Sequence, residues 1–337
     1  MQHKTKLLQA HSPKDIATAI ALLKAVQIVA LPTETVYGLA ADAKNPDAVR
    51  KIFVAKKRPS SHPLIVHIAS FAKIHEWAQD ISPLATILAE HFWPGPLTLL
   101  LHKKPTVNDV VTGGLPTIAL RVPQHPLLLE ILETLDTGLA APSANQHKRL
   151  SPTRAQHVMD GLAGKIAAVL DGGACTFGLE STIVDLTGSV PTILRPGPIT
   201  QQMLEDTLRM VVLAPEHHTE QVAGNMVVHY QPRTQTVLMP LMNLQEYLLA
   251  PANSIKKIAV MHYSHLRLTA ANVQYQAMPQ DKAAYARAMY HVLHQLDRAG
   301  VDQILIETPP NNPVWRDVLD RLTKASACNK NILSQNE

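Results

Sequence analysis

Cysteine is nearly absent from this 337-residue chain, and the two present, Cys175 and Cys328, can build neither a disulfide framework nor a four-thiolate zinc site. Charge of one sign is also missing. Thirty-one Lys+Arg against 27 Asp+Glu leave +4, too weak a balance to argue nucleic-acid binding from net charge. Aromatic residues make up only 4%, which disfavours the stacking platforms of RNA binders. No apolar run approaches the ~20 residues of a membrane span, because Lys24, Gln27 and Pro32 interrupt the longest stretches. Residues 1–15 lack the apolar core of a secretory signal. No membrane partner and a cytoplasmic location are therefore expected.

Chemical signatures are missing too. The chain has no G-x-x-x-x-G-K-[ST], no G-x-G-x-x-G, no H-E-x-x-H, no C-x-x-C and no G-x-S-x-G. This removes the two commonest phosphate loops, the zinc-protease helix and the hydrolase elbow. Seventeen histidines offer pairs such as His291/His294 and His262/His265 without a third ligand at metal spacing. No protein-held metal is expected.

What remains is an ordinary globular composition, 46% hydrophobic and 17% charged. At ~150 residues per domain the length suits two domains. Of the 14 glycines only Gly224 and Gly300 follow residue 200, so a loop-dense domain is placed at 1–207. Residues 208–236 read as a linker without a periodic apolar face, and 237–337 as a second domain. Buried-strand patterns fall at 26–31, 64–68, 98–102, 117–122, 167–170, 182–186 and 192–194. Helices are predicted over 46–55, 83–92, 126–135, 153–162 and 200–208, several with proline in the first turn. In the second domain, strands at 257–263 and 303–307 flank a helix at 283–299, which Gly300 closes. That βαβ pattern predicts a small parallel sheet. The fold class is α/β.

The polar residues that attract attention sit in loops beside apolar strands. P-T-E-T-V-Y-G at 32–38 offers hydroxyls that suit either a small polar ligand or a threonine-capped turn. Residues 44–58 hold six bases and one acid. Pro59 bars helix at Arg58, so Lys56 and Arg58 are expected along an extended segment. Alternation in T-I-A-L-R puts Thr117, Ala119 and Arg121 on one face, where a buried arginine needs an anionic partner. A-P-S-A-N at 141–145, G-L-E-S-T at 178–182 and R-P-G at 195–197 complete the set. If Arg58, Arg121 and Arg195 converge, the site suits polyphosphate or carboxylate.

Seven segments in order, P-T-E-T-V-Y-G-L, K-x-R-P with P-L-I-V-H, F-W-P-G-P-L-T, T-I-A-L-R-V-P, A-P-S-A-N, G-L-E-S-T-I-V-D and R-P-G-x-I, resemble the Sua5/YciO/YrdC family over 32–199. The H-Y-x-P element at 229–232 and the second domain are similar to the two-domain Sua5 type. The resemblance implies a YrdC-like twisted mixed sheet with flanking helices, plus a smaller Rossmann-like C-terminal α/β domain. It implies a threonylcarbamoyl-AMP synthase, joining L-threonine, bicarbonate or CO2, and ATP with release of pyrophosphate. Mg2+ is expected with the ATP. The product would pass to a tRNA threonylcarbamoyl transferase for the t6A base beside the anticodon.

By motif, the resemblance puts Thr35, His67, Arg121, Ala141 and Ser181 around threonine. It puts Lys56, Arg58, His62, Thr117, Ser143, Asn145, Ser151 and Arg195 along the nucleotide, with Tyr230 folding over it from the linker. Lys56 and Arg58 would be the catalytic cations. Three departures stand out: His62 where asparagine is common, Lys57 where glycine is frequent, and Met226 and Val228 where the linker usually carries bases. The alternative is a double-stranded RNA-binding module of the same fold, with 44–58 in a concave basic face; a weak RNA contact is compatible with either reading. Hydrogenase maturation proteins form a related carbamoyl-adenylate, but carry zinc-finger parts that two cysteines exclude.

Overall fold

Proline and its caps account for much of the local structure. Helices α1 (Pro13–Lys24), α2 (Pro46–Lys56) and α3 (Pro83–Phe92) all start on proline, where the missing N–H is one the helix could not use. Ser12, Asn45 and Ser82 cap them by accepting backbone N–H groups of Asp15, Asp47 and Ala85. After the short α4 (Asp109–Thr112), α5 (Pro126–Leu135) repeats the proline start. α6 (Ala155–Leu162) and α7 (Gln201–Leu208) follow. The computed structural model describes residues 4–215, 222–224, 229–266 and 270–327. Met226, Val228, Cys328 and the polar stretch 216–221 lie outside these residues. Contacts divide the chain into two compact units, 1–147 with 151–225, and 148–150 with 226–337.

The first unit is built on ten strands. These are β1 (Lys6–Gln9), β2 (Val29–Leu31), β3 (Gly38–Asp42), β4 (Ile65–His67) and β5 (Leu97–His102). β6 (Thr117–Arg121), β7 (Leu139–Ala140), β8 (Ala168–Asp171), β9 (Thr182–Asp185) and β10 (Thr192–Arg195) complete them. Their order across the mixed sheet is β1-β8-β2-β3-β7-β4-β6-β5-β9-β10. One face packs Val66, Leu99, Leu120 and Val184 against Ile52 of α2, Leu88 of α3, Val158 of α6 and Leu204 of α7. On the opposite face α1 and α5 cover only part of the sheet. Leu23, Ile131 and Leu132 rest on Val29, Leu31, Ala40 and Leu170. The rest of that face carries a separate apolar patch, Ile65, Leu100, Ala119 and Ile183, joined by Leu194 and Val222. Two residues along each strand from this patch the side chains turn polar, and the candidate site begins there.

Several expectations change. The predicted strand at 26–31 starts only at Val29, because Val26 has φ 61° and closes α1, its N–H bonded to Leu23 O. α1 itself was missed, although Ser12-Pro13-x-Asp15 is a helix-start signature. Lys56 is not in an extended segment. It is the last residue of α2, and Lys57 ends that helix at φ 53°, the left-handed position that glycine favours. The linker stretch is not featureless: Val212 is fully buried, and Ile193 N–H bonds to Leu213 O at 2.7 Å.

The second unit contains four parallel strands, β11 (Gln235–Met239), β12 (Ile258–His262), β13 (Val273–Ala277) and β14 (Gln303–Glu307), in the order β11-β14-β12-β13. Helices α8 (Leu241–Leu249), α9 (Lys282–Asp297) and α10 (Arg316–Ser326) accompany them. β14 coincides with the predicted strand, whereas β11 starts inside the predicted linker. Gln231 N–H bonds to Lys148 O, which ties 148–150 into this unit. Among the described residues no helix is long and apolar enough to cross a membrane.

Candidate active site

Register sets the first half of the site. His67 at the end of β4 pairs with Arg121 at the end of β6, so both side chains leave the same face of the sheet. Arg121 is buried. Its Nε donates to Gly95 O at 3.1 Å, Nη1 to Thr35 Oγ1 at 3.0 Å and Nη2 to Glu34 Oε1 at 2.5 Å. The anionic partner that a core arginine requires is therefore Glu34, 87 residues away in sequence. Thr33 shapes the turn that presents it, its Oγ1 accepting from the N–H groups of Thr35 and Val36 at 3.0 and 3.1 Å. The segment 32–38 is thus both a threonine-capped turn and part of the polar site. Ala141 lies next to it, its N–H bonded to Ile65 O.

Across the sheet, Ser181 precedes β9. Its hydroxyl shares a hydrogen bond with Thr98 at 2.8 Å and accepts from Arg195 Nη2 at 3.0 Å. Arg195 Nε donates to Ser181 O at 3.0 Å and Nη1 to Ala223 O at 2.8 Å. Gly197 permits this packing. A Cβ there would lie 2.4 Å from Thr182 N and 2.7 Å from the Ser181 carbonyl carbon, which explains the glycine of R-P-G.

The third group gathers around the end of α2. Lys56, wholly buried, donates from Nζ to Ser143 O at 2.5 Å and Asn145 O at 2.6 Å. Burial and then the neighbouring Arg58 hold its ammonium well below the usual lysine range. Its donors are spent on the A-P-S-A-N loop, so Lys56 fixes Ser143 and Asn145 in place. Arg58 is buried and donates to Pro63 O at 3.1 Å. His62 meets the His147 ring edge-on, centroids 5.5 Å apart. Ser151 donates to Glu180 Oε1 at 2.5 Å. Thr117, at the opposite end of β6 from Arg121, lines a small cleft with Pro63, Thr112, Ala119 and Val222.

The structure thus joins Thr35, His67 and Arg121 in one group, Ser181 and Arg195 in a second, and Lys56, Ser143 and Asn145 in a third. Tyr230 belongs to the second unit, buried at φ 59° with Tyr290 5.9 Å away and Arg321 stacked on its ring at 5.3 Å. Sequence reasoning missed Glu34, Thr98 and Glu180 as partners. Glu34 could have been found, since it is the one acid inside the 32–38 motif. Chemically the arrangement sets buried guanidiniums beside hydroxyls and carboxylates. Cys175, the free thiol here, is buried and pushed up to about 12, so it is neutral and a poor nucleophile.

Burial, with the Arg121 charge beside it, pushes the His67 imidazole down to about 3. An unfolded histidine titrates near ~6.5. Between the two values the unfolded chain binds the extra proton, so stability should fall as pH drops below about 6.5, by up to about 1.4 kcal/mol per pH unit. Denaturant unfolding of wild type and His67→Asn at pH 7 and pH 5 measures this. A smaller loss at pH 5 is expected in the variant; equal losses would contradict a buried neutral ring.

Known proteins share this sequence pattern and fold. Residues 21–197 match the Sua5/YciO/YrdC family model, described as telomere recombination, and 199–327 match a model described as threonylcarbamoyl-AMP synthase, C-terminal domain. A threonylcarbamoyl-AMP synthase of Pyrococcus abyssi is 37% identical over 322 residues, covering 92% of this chain and 94% of its own length. One from Bacillus subtilis is 36% identical over 338 residues, covering 96% and 95%. The crystal structure of P. abyssi Sua5 complexed with L-threonine superposes with a TM-score of 0.88 at 35% identity, covering 96% of this chain and 97% of that one. Fold and site define an α/β protein in which buried arginines, hydroxyls and a carboxylate gather at the strand ends of a mixed sheet. The chain belongs to the Sua5/YciO/YrdC family, in its two-domain Sua5 type.

Proposed function

We propose that this chain is an L-threonylcarbamoyladenylate synthase, a nucleotidyltransferase that consumes L-threonine, bicarbonate or CO2, and ATP. The observation that carries this reading is full-length similarity to a structure solved with L-threonine, in a chain whose Thr35, His67 and Arg121 meet on one sheet face. In the reaction the threonine amine captures CO2. A carbamate oxygen then attacks the α-phosphate and pyrophosphate leaves. No protein nucleophile is needed, so the work is alignment and charge stabilisation.

Thr35, His67, Arg121, Ala141 and Ser181 would hold threonine, with Arg121 on its carboxylate. Arg58 and Arg195 would face the phosphates, and His62, Thr117, Ser143, Asn145 and Ser151 would line the rest of the nucleotide. Lys56 contributes by fixing the 143–145 loop, and Tyr230 would close over the nucleotide. Among the described residues no three potential ligands cluster, so Mg2+ would arrive held by the phosphates of ATP. The product would be passed in the cytoplasm to a tRNA threonylcarbamoyl transferase.

The test is pyrophosphate release with purified protein and ATP. Release is expected only when threonine and bicarbonate are both present. Equal turnover with either omitted would overturn the synthase reading, and salt-sensitive binding of double-stranded RNA without ATP consumption would support the RNA-binding alternative.

A further inference from the structure

Glu34 has no task in the assignment above except to hold Arg121, yet its surroundings offer more. The side chain is 3% exposed, and its Oε1 accepts a hydrogen bond from Arg121 Nη2. Its other oxygen, Oε2, is equally enclosed and has no hydrogen-bond partner among the described residues. The backbone of Glu34 is held in place, its carbonyl accepting from Phe177 N at 2.8 Å and Thr176 Oγ1 at 3.3 Å. A buried carboxylate oxygen without a protein donor is a costly arrangement that native structures rarely tolerate without a reason.

Arg121 is incomplete in a matching way. Its three nitrogens donate once each, to Gly95 O, Thr35 Oγ1 and Glu34 Oε1. A guanidinium carries five N–H groups, so one N–H on each terminal nitrogen is left over. The buried ion pair therefore presents a free acceptor on its negative member and free donors on its positive member. An α-amino acid zwitterion has the complementary pair, an ammonium and a carboxylate on one carbon. Two groups that feel the Glu34 charge, His125 and Cys175, offer it no strong cation. Burial holds His125 below the usual imidazole range, and its Nδ1 also lacks a partner among the described residues, while Cys175 is a neutral thiol.

We propose that Glu34 Oε2 receives the α-ammonium of the amino-acid substrate while the spare N–H groups of Arg121 take its carboxylate. Glu34 is then a substrate-binding residue, and the Glu34–Arg121 pair reads the zwitterion as a unit. The inference rests on the reading that L-threonine is a substrate.

The test uses two ligands and two variants of the full chain. The ligands are L-threonine and 3-hydroxybutanoate, which has the same carbon skeleton and hydroxyl but no amine. Wild type should prefer threonine. Glu34→Gln keeps the shape and an oxygen for Arg121 but loses the charge. It should bind threonine roughly 10–100-fold more weakly, the worth of a charge-assisted hydrogen bond. Its affinities for 3-hydroxybutanoate and for ATP should stay within about threefold of wild type. Glu34→Asp, which retains the charge, should recover part of the threonine affinity. Equal weakening of both small ligands, or of ATP as well, in Gln and Asp alike, would show that Glu34 only supports Arg121 and would overturn the proposal. So would threonine binding by Glu34→Gln at wild-type strength. Wild-type protein that does not bind threonine would instead overturn the proposed function.

Discussion

Arg58→Ala should lower the rate of pyrophosphate release by about 10²–10³, the loss of ~2–4 kcal/mol of transition-state stabilisation. Arg58 follows the left-handed residue that ends α2 and precedes Pro59, so its backbone has little freedom. One terminal nitrogen is anchored on Pro63 O, which orients the guanidinium before any ligand arrives. Charge that builds on the phosphates as the carbamate attacks would meet a fork already in place, and preorganisation of this kind is what makes electrostatic stabilisation large. Arg58→Lys should recover only part of the rate, because a point charge lacks the bidentate geometry. Steady-state turnover with a melting curve as the folding control measures this. Unchanged turnover in folded Arg58→Ala protein would reduce Arg58 to a structural charge.

The second large effect concerns stability. Arg121→Ala leaves the Glu34 carboxylate buried, 3% exposed, without its cation. Removing one member of a buried pair typically costs about 3–5 kcal/mol, because the remaining charge is stranded. The double variant Arg121→Ala/Glu34→Gln should be more stable than Arg121→Ala alone, since the stranded charge is gone. Chemical denaturation of wild type and the single and double variants gives the coupling between the two positions. Additive losses would mean that the 2.5 Å contact contributes nothing measurable. Threonine binding should be lost in both variants that lack Arg121.

What could be read in the sequence divides along the line between local and long-range causes. Pro83–Phe92 and Pro126–Leu135 coincide with the predicted helices, because a proline start and an apolar stripe are both written within a dozen residues. β3 and β7 were not legible. Gly38-Leu39-Ala40-Ala41-Asp42 has little β-propensity, and β7 is only two residues long. Their strand character comes from neighbours that pair with them, β3 between β2 and β7 and β7 between β3 and β4. The site divides in the same way. Alternation in 117–121 demanded an anionic partner, protein or ligand, for Arg121, but no local pattern could name Glu34 across 87 positions. Lys56 was singled out on the wrong geometry, since it ends α2 rather than lying in an extended segment. Pro59 signals a break, yet the break falls at Lys57, whose left-handed conformation sequence alone did not disclose.

One enzyme-bound product should contain threonine, a carbon from bicarbonate and AMP. Mass spectrometry of the adenylate formed from ATP, L-threonine and 13C-bicarbonate tests it directly. Threonylcarbamoyl-AMP bearing one 13C in its carbamoyl carbon is the expected result. An adenylate of threonine itself without label, or AMP formed with no adenylate at all, would contradict the claim.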